Sequence, residues 1–352
     1  MNMYWIATTL FLLSQCTLNV HSERILLLAH LQGSHVLQIA TTGQELQRRG
    51  HDVYFVLPTG SRHTHMVQSK GLKLLTFNVA STEGLLESDE INMLLEKESF
   101  AAESEKDPEY WRDIIVACFK HCDLMLHDLD FMAKVKQQDF KMAVVDANII
   151  GTCIALVPYH FDIPFVVESD TIPLWDMGIP FLPSFMPATI QESTDRMSFS
   201  EKLTSLFFFL IFSSPYTFSE WNTTLLGEFG GNPEVTSWRQ LRKHAQLYIM
   251  HRDYLLDFHT PSMPNVITTA GVNIGPAKEL PTELLEKLNK TKNIVVISFG
   301  SAAGTMPHKY VWIFIDAFER FPDFAFVWKL PNAHKYTLPT NELQNGYHKM
   351  IC

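Results

Sequence analysis

Two residues of this 352-residue chain have the types that acid–base chemistry needs. His35 lies in "LAHLQGSHVLQIATTGQELQRRGHDVYFVLP", from Leu28 to Pro58, and Asp146 closes the run "MAVVD". A carboxylate bonded to one imidazole nitrogen fixes the tautomer and stabilises the imidazolium, leaving the other nitrogen to take a proton from a hydroxyl. A lone histidine in a polar loop has no such meaning. Its place at the junction of a strand and a helix gives it one, because open α/β sheets bind ligands at the carboxyl ends of their strands.

Those two residues need a sheet to hold them. Arg24 to Ala29 ("RILLLA") reads as a buried parallel strand. Val36, Ile39, Ala40 and Leu46 mark one face of a helix from His35 to Arg49, stopped by Gly50. Asp52 to Leu57 and Lys73 to Phe77 read as the next strands, which makes a βαβ start to a doubly wound sheet. Gly84 to Gln138 reads as helices. Met142 to Asp146 returns to strand, a helix follows near Ile149 to Pro158, and Phe165 to Glu168 is strand again. His35 and Asp146 then share the carboxyl edge of one parallel sheet.

Beyond this the texture changes. Pro173, Pro180, Pro183 and Pro187 punctuate a long loop, the kind that often serves function. "LFFFLIF" (Leu206 to Phe212) is too short to cross a membrane; it reads as a core helix or as a segment at a membrane surface or acceptor entrance. Asn265 to Pro281, with Gly271, Gly275 and Pro276, reads as an interdomain linker. A second βαβ beginning follows: helix Thr282 to Asn289, strand Ile294 to Phe299, helix Tyr310 to Phe318 and strand Phe324 to Leu330.

Composition and missing motifs narrow the chemistry. The formal charge of −10 comes from 38 acidic against 28 basic residues with no basic stripe, which argues against nucleic acid as a partner. "HLQGSH" has one glycine where a dinucleotide fold needs Gly-x-Gly-x-x-Gly, and no Gly-x-Ser-x-Gly elbow occurs. "CFKHC" (Cys118 to Cys122) lacks a second ligand pair at metal spacing, so it reads as a buried helical face. Cys118, Cys122, Cys153 and Cys352 form no dense disulfide framework. Residues 1–22 read as a secretory signal with an apolar core from Ile6 to Leu13. Asn222 and Asn289 head glycosylation triplets that suit a lumenal route.

In order and spacing, several segments resemble the UDP-glycosyltransferases of the animal UDP-glucuronosyltransferase type. They are "GSHVLQIATTGQELQRRGHDVYFVLP", "VVDANIIGTCIALVPYHFDIPFV", "SFMPATIQESTDRMSFSEKL", "SMPNVITTAGVNIGPAKELPTELLEKL" and "IVVISFGSAAGTMP". The resemblance implies a GT-B type α/β fold. A Rossmann-like doubly wound domain (residues 23–264) would bind a small lipophilic acceptor. After a linker (265–281), an incomplete Rossmann-like domain (282–352) would face the UDP-sugar.

Carried over, His35 is the general base and Asp146 its partner, and attack on the anomeric carbon expels UDP with inversion. Gly300 and Ser301 match the donor-phosphate loop, and Lys329 stands where relatives carry a basic donor contact, often arginine. The UDP-sugar is a cosubstrate, with no other cofactor and no metal expected. The resemblance further implies the endoplasmic reticulum, contact with a membrane surface and association with copies or relatives.

The donor signature and the membrane anchor expected after Lys329 are not found. The chain as given is therefore expected not to bind UDP-sugar usefully. The alternative function is an inactive family member that binds lipophilic molecules or pairs with full-length relatives.

Overall fold

A computed structural model describes residues 22–29, 33–81, 84–85, 108–148, 151–169, 172, 174–188, 191, 193–213, 223–231, 235–289, 292–299 and 306–330. The chain begins with strand β1 (Arg24–Leu28), buried at every position after the first, as expected of a strand covered on both faces. Helix α1 (Gly33–Arg48) returns the chain to β2 (Asp52–Pro58). Gly50, at φ 95°, makes the left-handed turn that ends α1. Val36, Ile39 and Ala40 bury one face of α1, and a side chain at Gly43 would collide with Leu27. The glycine is what lets the helix lie close on β1.

Helix α2 (Thr64–Ser69) and strand β3 (Lys73–Phe77) follow, then the short antiparallel pair β4 (Ala80–Ser81) and β5 (Gly84–Leu85). Helices α3 (Pro108–His127) and α4 (Leu129–Gln138) cover the other face. The Asp128 side chain caps α4 by accepting from the Phe131 N–H, which satisfies an orphan donor of the first turn. Strand β6 (Met142–Val145), a 3-10 turn (Thr152–Ala155), helix α5 (Leu156–His160) and strand β7 (Phe165–Ser169) come next. Of the expected helical segment 84–138, residues 86–107 lie outside the described residues.

Helices α6 (Phe199–Phe212), α7 (Thr224–Phe229) and α8 (Trp238–Arg242) lead to strands β8 (Leu247–His251) and β9 (Val266–Thr269). The sheet has the order β3-β2-β1-β6-β7-β8-β9, and every neighbouring pair in it is parallel. The order reverses between β1 and β6, so the crevice outside their carboxyl ends is the topological switch point. One face packs Leu26, Leu28, Phe77, Phe119 and Phe131; the other packs Leu27, Val36, Ile39, Phe55 and Val144.

The sheet corrects the expected linker at 265–281. Its first residues, the β-branched Val266–Thr269, add a strand to β8 in the register Tyr248↔Val266, and the first sheet runs through Thr269. Helix α6 also differs from a plain core helix. It is fixed by a capping box between Ser198 and Glu201 and buries Ser205, which donates to the Met186 carbonyl at 2.9 Å. Phe209 stacks on Phe181 at 4.3 Å, yet Phe199, Leu203, Phe207 and Leu210 are exposed.

The proline-punctuated loop is anchored by a buried ion pair. Arg242 Nε donates to Asp176 Oδ2 at 2.6 Å with both side chains fully buried.

After β9, helix α9 (Thr282–Leu288) precedes β10 (Asn293–Ser298), α10 (His308–Glu319) and β11 (Phe324–Lys329). β10 and β11 pair in parallel. Phe318, Phe326 and Trp328 form the centre of their core.

Candidate active site

His35 occupies the first turn of α1, directly after the carboxyl end of β1. Asp146 follows β6 by one residue, and its N–H donates to the Leu28 carbonyl at 2.9 Å, which holds it in the ladder beside β1. The two strands flank the switch point, and their residues meet there: His35 Nδ1 lies 2.6 Å from Asp146 Oδ2. Asp146 is 1% and His35 8% exposed. An ionised carboxylate only accepts, so Nδ1 carries the proton and Nε2 is the basic nitrogen. This pair can accept a proton from a hydroxyl and stabilise the resulting imidazolium.

A second carboxylate–histidine pair stands beside the first. Val145 is opposite Val167 across β6 and β7; one step further, Asp146 faces Glu168. Both carboxylates lie on the α1 face, since Val144 and Val166 pack there. Glu168 is 1% exposed. Its Oε1 accepts from the Thr42 hydroxyl at 2.7 Å and from His251 Nε2 at 3.1 Å, and His251 Nδ1 is 3.2 Å from Thr269 Oγ1. This chain of bonds ties α1, which carries His35, to β7, β8 and β9.

In the sequence Glu168 is marked only as a strand end, and nothing marks His251. The acidic end of an otherwise apolar "FVVES" was the available signal. The sequence reading also missed the disulfide from Cys122 to Cys153, which pins α3 to the 3-10 turn after β6. The "CFKHC" segment is indeed a buried helical face, with Cys118, His121 and Cys122 all buried.

The other expected site residues are placed as follows. Lys329 ends β11, exposed, opposite Ser298 at the end of β10, at the sheet edge from which the chain runs toward residue 300. Gly300 and Ser301 lie outside the described residues, as does Asn222, while Asn289 is exposed at the carboxyl end of α9. Among the described residues no group of three or more His, Cys, Asp or Glu could hold a metal ion. A groove of about 820 Å³ runs along the flank of α1, lined by Thr41, Glu45, Arg49, Lys70 and Val272; neither His35 nor Asp146 lines it.

Residues 24–345 match the model of the family described as UDP-glucoronosyl and UDP-glucosyl transferase. UDP-glucuronosyltransferase 2B15 of Homo sapiens is 24% identical over 356 residues, covering 97% of this chain and 66% of that protein. UDP-glucuronosyltransferase 2B7 of Homo sapiens is 26% identical over 361 residues, with the same coverage of 97% and 66%. The chain thus spans just under two thirds of the length of these relatives. Among solved structures, the glycotransferase of kitacinnamycin superposes with a TM-score of 0.52 at 13% identity, over 94% of this chain and 71% of that one. CalG4, the calicheamicin glycosyltransferase, gives 0.50 at 14%, again over 94% and 71%. At such identities the likeness concerns the fold alone.

Proposed function

Because the chain belongs to the family of UDP-glucuronosyl and UDP-glucosyl transferases and has a GT-B type of α/β fold, we propose that it serves transfer of a sugar from a UDP-sugar to a hydroxyl of a small lipophilic acceptor. The observation that carries this reading is the buried 2.6 Å His35–Asp146 pair at the switch point of the parallel sheet.

In the proposed reaction, His35 Nε2 takes the proton of the acceptor hydroxyl as its oxygen attacks the anomeric carbon. The bond from that carbon to the diphosphate oxygen breaks, UDP leaves with the electron pair, and the configuration inverts. Asp146 holds the imidazole ring in place and stabilises its positive charge. Lys329, Gly300 and Ser301 would offer charge and backbone donors to the departing diphosphate. The reading includes residence in the secretory pathway and contact of the exposed α6 face with a membrane surface. No helix among the described residues is long and apolar enough to cross one.

The test is the product made from UDP-glucuronic acid or UDP-glucose and naphthol by this chain extended to the full length of its relatives. An α-linked donor should give UDP and a β-linked naphthol glycoside. Retention of the α configuration would contradict direct displacement assisted by His35. Binding of naphthol with no transfer from either donor would favour the second reading, an inactive lipophile-binding member of the family.

A further inference from the structure

His121 lies on α3, on the side of β1 away from α1, and is 6% exposed. Neither of its ring nitrogens has a hydrogen-bond partner, an arrangement that native proteins rarely tolerate without a purpose. It lines a small cavity of about 30 Å³ with Leu28, Ala29, Val56, Phe77, Met125 and Ile154. Leu28 and Phe77 end their strands, so the cavity lies at the carboxyl end of the sheet, the same end that carries the His35–Asp146 pair. A space of this size takes one hydroxyl or one water; the walls beyond it are apolar.

The chemistry of the occupant follows from the ring. Burial, with the nearby Lys120 charge, pushes His121 down to about 4, so it is neutral at physiological pH and offers one donor and one acceptor. A carboxylate or phosphate would find no positive charge in the lining itself, which does not include Lys120. The neighbouring Cys122 is in a disulfide and supplies no thiolate for a metal. An uncharged hydroxyl, which both donates and accepts, is the complement.

We infer that His121 is a specificity-determining residue that binds a second, non-reacting hydroxyl of the acceptor, so that preferred acceptors are apolar molecules carrying at least two hydroxyls. The inference rests on the acceptor reading of the N-terminal sheet. It goes further by giving the two hydroxyls different hosts, His35 on the α1 side and His121 on the α3 side. Transfer is not needed to test it.

Naphthalene, naphthol and dihydroxynaphthalene are titrated against the full chain by calorimetry, with the histidine ring nitrogens followed by nitrogen NMR. Dihydroxynaphthalene should bind about ten-fold tighter than naphthol, as one hydrogen bond to an otherwise unsatisfied buried group allows, and it should shift the His121 resonances. His121→Phe, a flat ring with no polar atom, should remove that ten-fold preference and leave naphthol within about two-fold of its native affinity. His121→Gln, able to donate and accept, should keep part of the preference.

Equal binding of naphthol and dihydroxynaphthalene would overturn the inference while leaving the acceptor reading intact, and would point to a fixed water at His121. A preference that persists in His121→Phe would overturn it as well. Binding of none of the three probes would remove the acceptor reading and the subsite together.

Discussion

Replacing Cys122 and Cys153 together by alanine removes the bond between α3 and the turn after β6, and its cost can be worked from the fold. The two cysteines are 31 residues apart. Closing a loop of that length in the unfolded chain corresponds to about 3–4 kcal/mol on the chain-entropy model. With a urea dependence of about 2–3 kcal/mol per molar, the unfolding midpoint of the N-terminal sheet should fall by roughly 1–2 M. Native protein in dithiothreitol should show the same fall. Cys118 is a control: burial pushes its thiol far up, so in native protein it should resist alkylation, and Cys118→Ala should move the midpoint far less. The assay is urea unfolding followed by tryptophan fluorescence. An unchanged midpoint in both the double variant and the reduced protein would refute the reasoning.

Three further outcomes are expected. His121 is held near pH 4 by burial against about 6.5 in an unfolded chain, so between these values the unfolded state binds more protons and stability rises with pH. That contribution, up to about 3 kcal/mol, is complete above pH 6.5 and lost as pH falls through about 4; His121→Phe should flatten this part of the stability–pH curve. Arg242→Met leaves the buried Asp176 without its 2.6 Å partner, with Arg239 still 3.4 Å away, and should cost about 2–3 kcal/mol, below the roughly 3–5 kcal/mol of a wholly unpaired buried charge, in urea unfolding, with part recovered in Arg242→Met/Asp176→Leu. Thr42→Val deletes the 2.7 Å donor to Glu168 and should cost about 1.5–3 kcal/mol, as hydrogen bonds to charged groups do; a neutral result would show that the Thr42–Glu168–His251 network does not hold α1.

The parts of the fold that were legible in the sequence are those where local pattern and tertiary environment agree. "RILLLA", the α1 periodicity and Gly50 announce a buried strand, a helix lying on it and a turn, and β1, α1 and β2 form there. The meeting of His35 and Asp146 was legible for a topological reason: carboxyl ends of strands in one parallel sheet share an edge. Strands β8 and β9 were not, because β8 alternates buried with half-buried positions and β9 buries only Val266, with no continuous apolar run to mark them. Glu168 and His251 stayed hidden with them, since their pairing depends on β8 lying next to β7. The disulfide was illegible too. Its geometry depends on the 6.0 Å Cα separation that packing of α3 against the 3-10 turn creates. In the sequence His121 is one more residue of a buried helical face; its lack of a partner shows only when the side chains around it are in place.

In the proposed reaction His35, set by Asp146, is the base. The measurement that tests it most directly compares turnover and UDP-sugar affinity in the chain extended to the full length of its relatives, with His35 and Asp146 native or replaced as His35→Ala or Asp146→Asn, each checked for native unfolding behaviour. Loss of a general base should lower turnover by roughly 10²–10⁴-fold in His35→Ala. Asp146→Asn should fall in the same direction, and UDP-sugar affinity should change by less than about two-fold in both. Near-native turnover of His35→Ala would contradict the account and leave the buried pair as a structural link between β1 and β6.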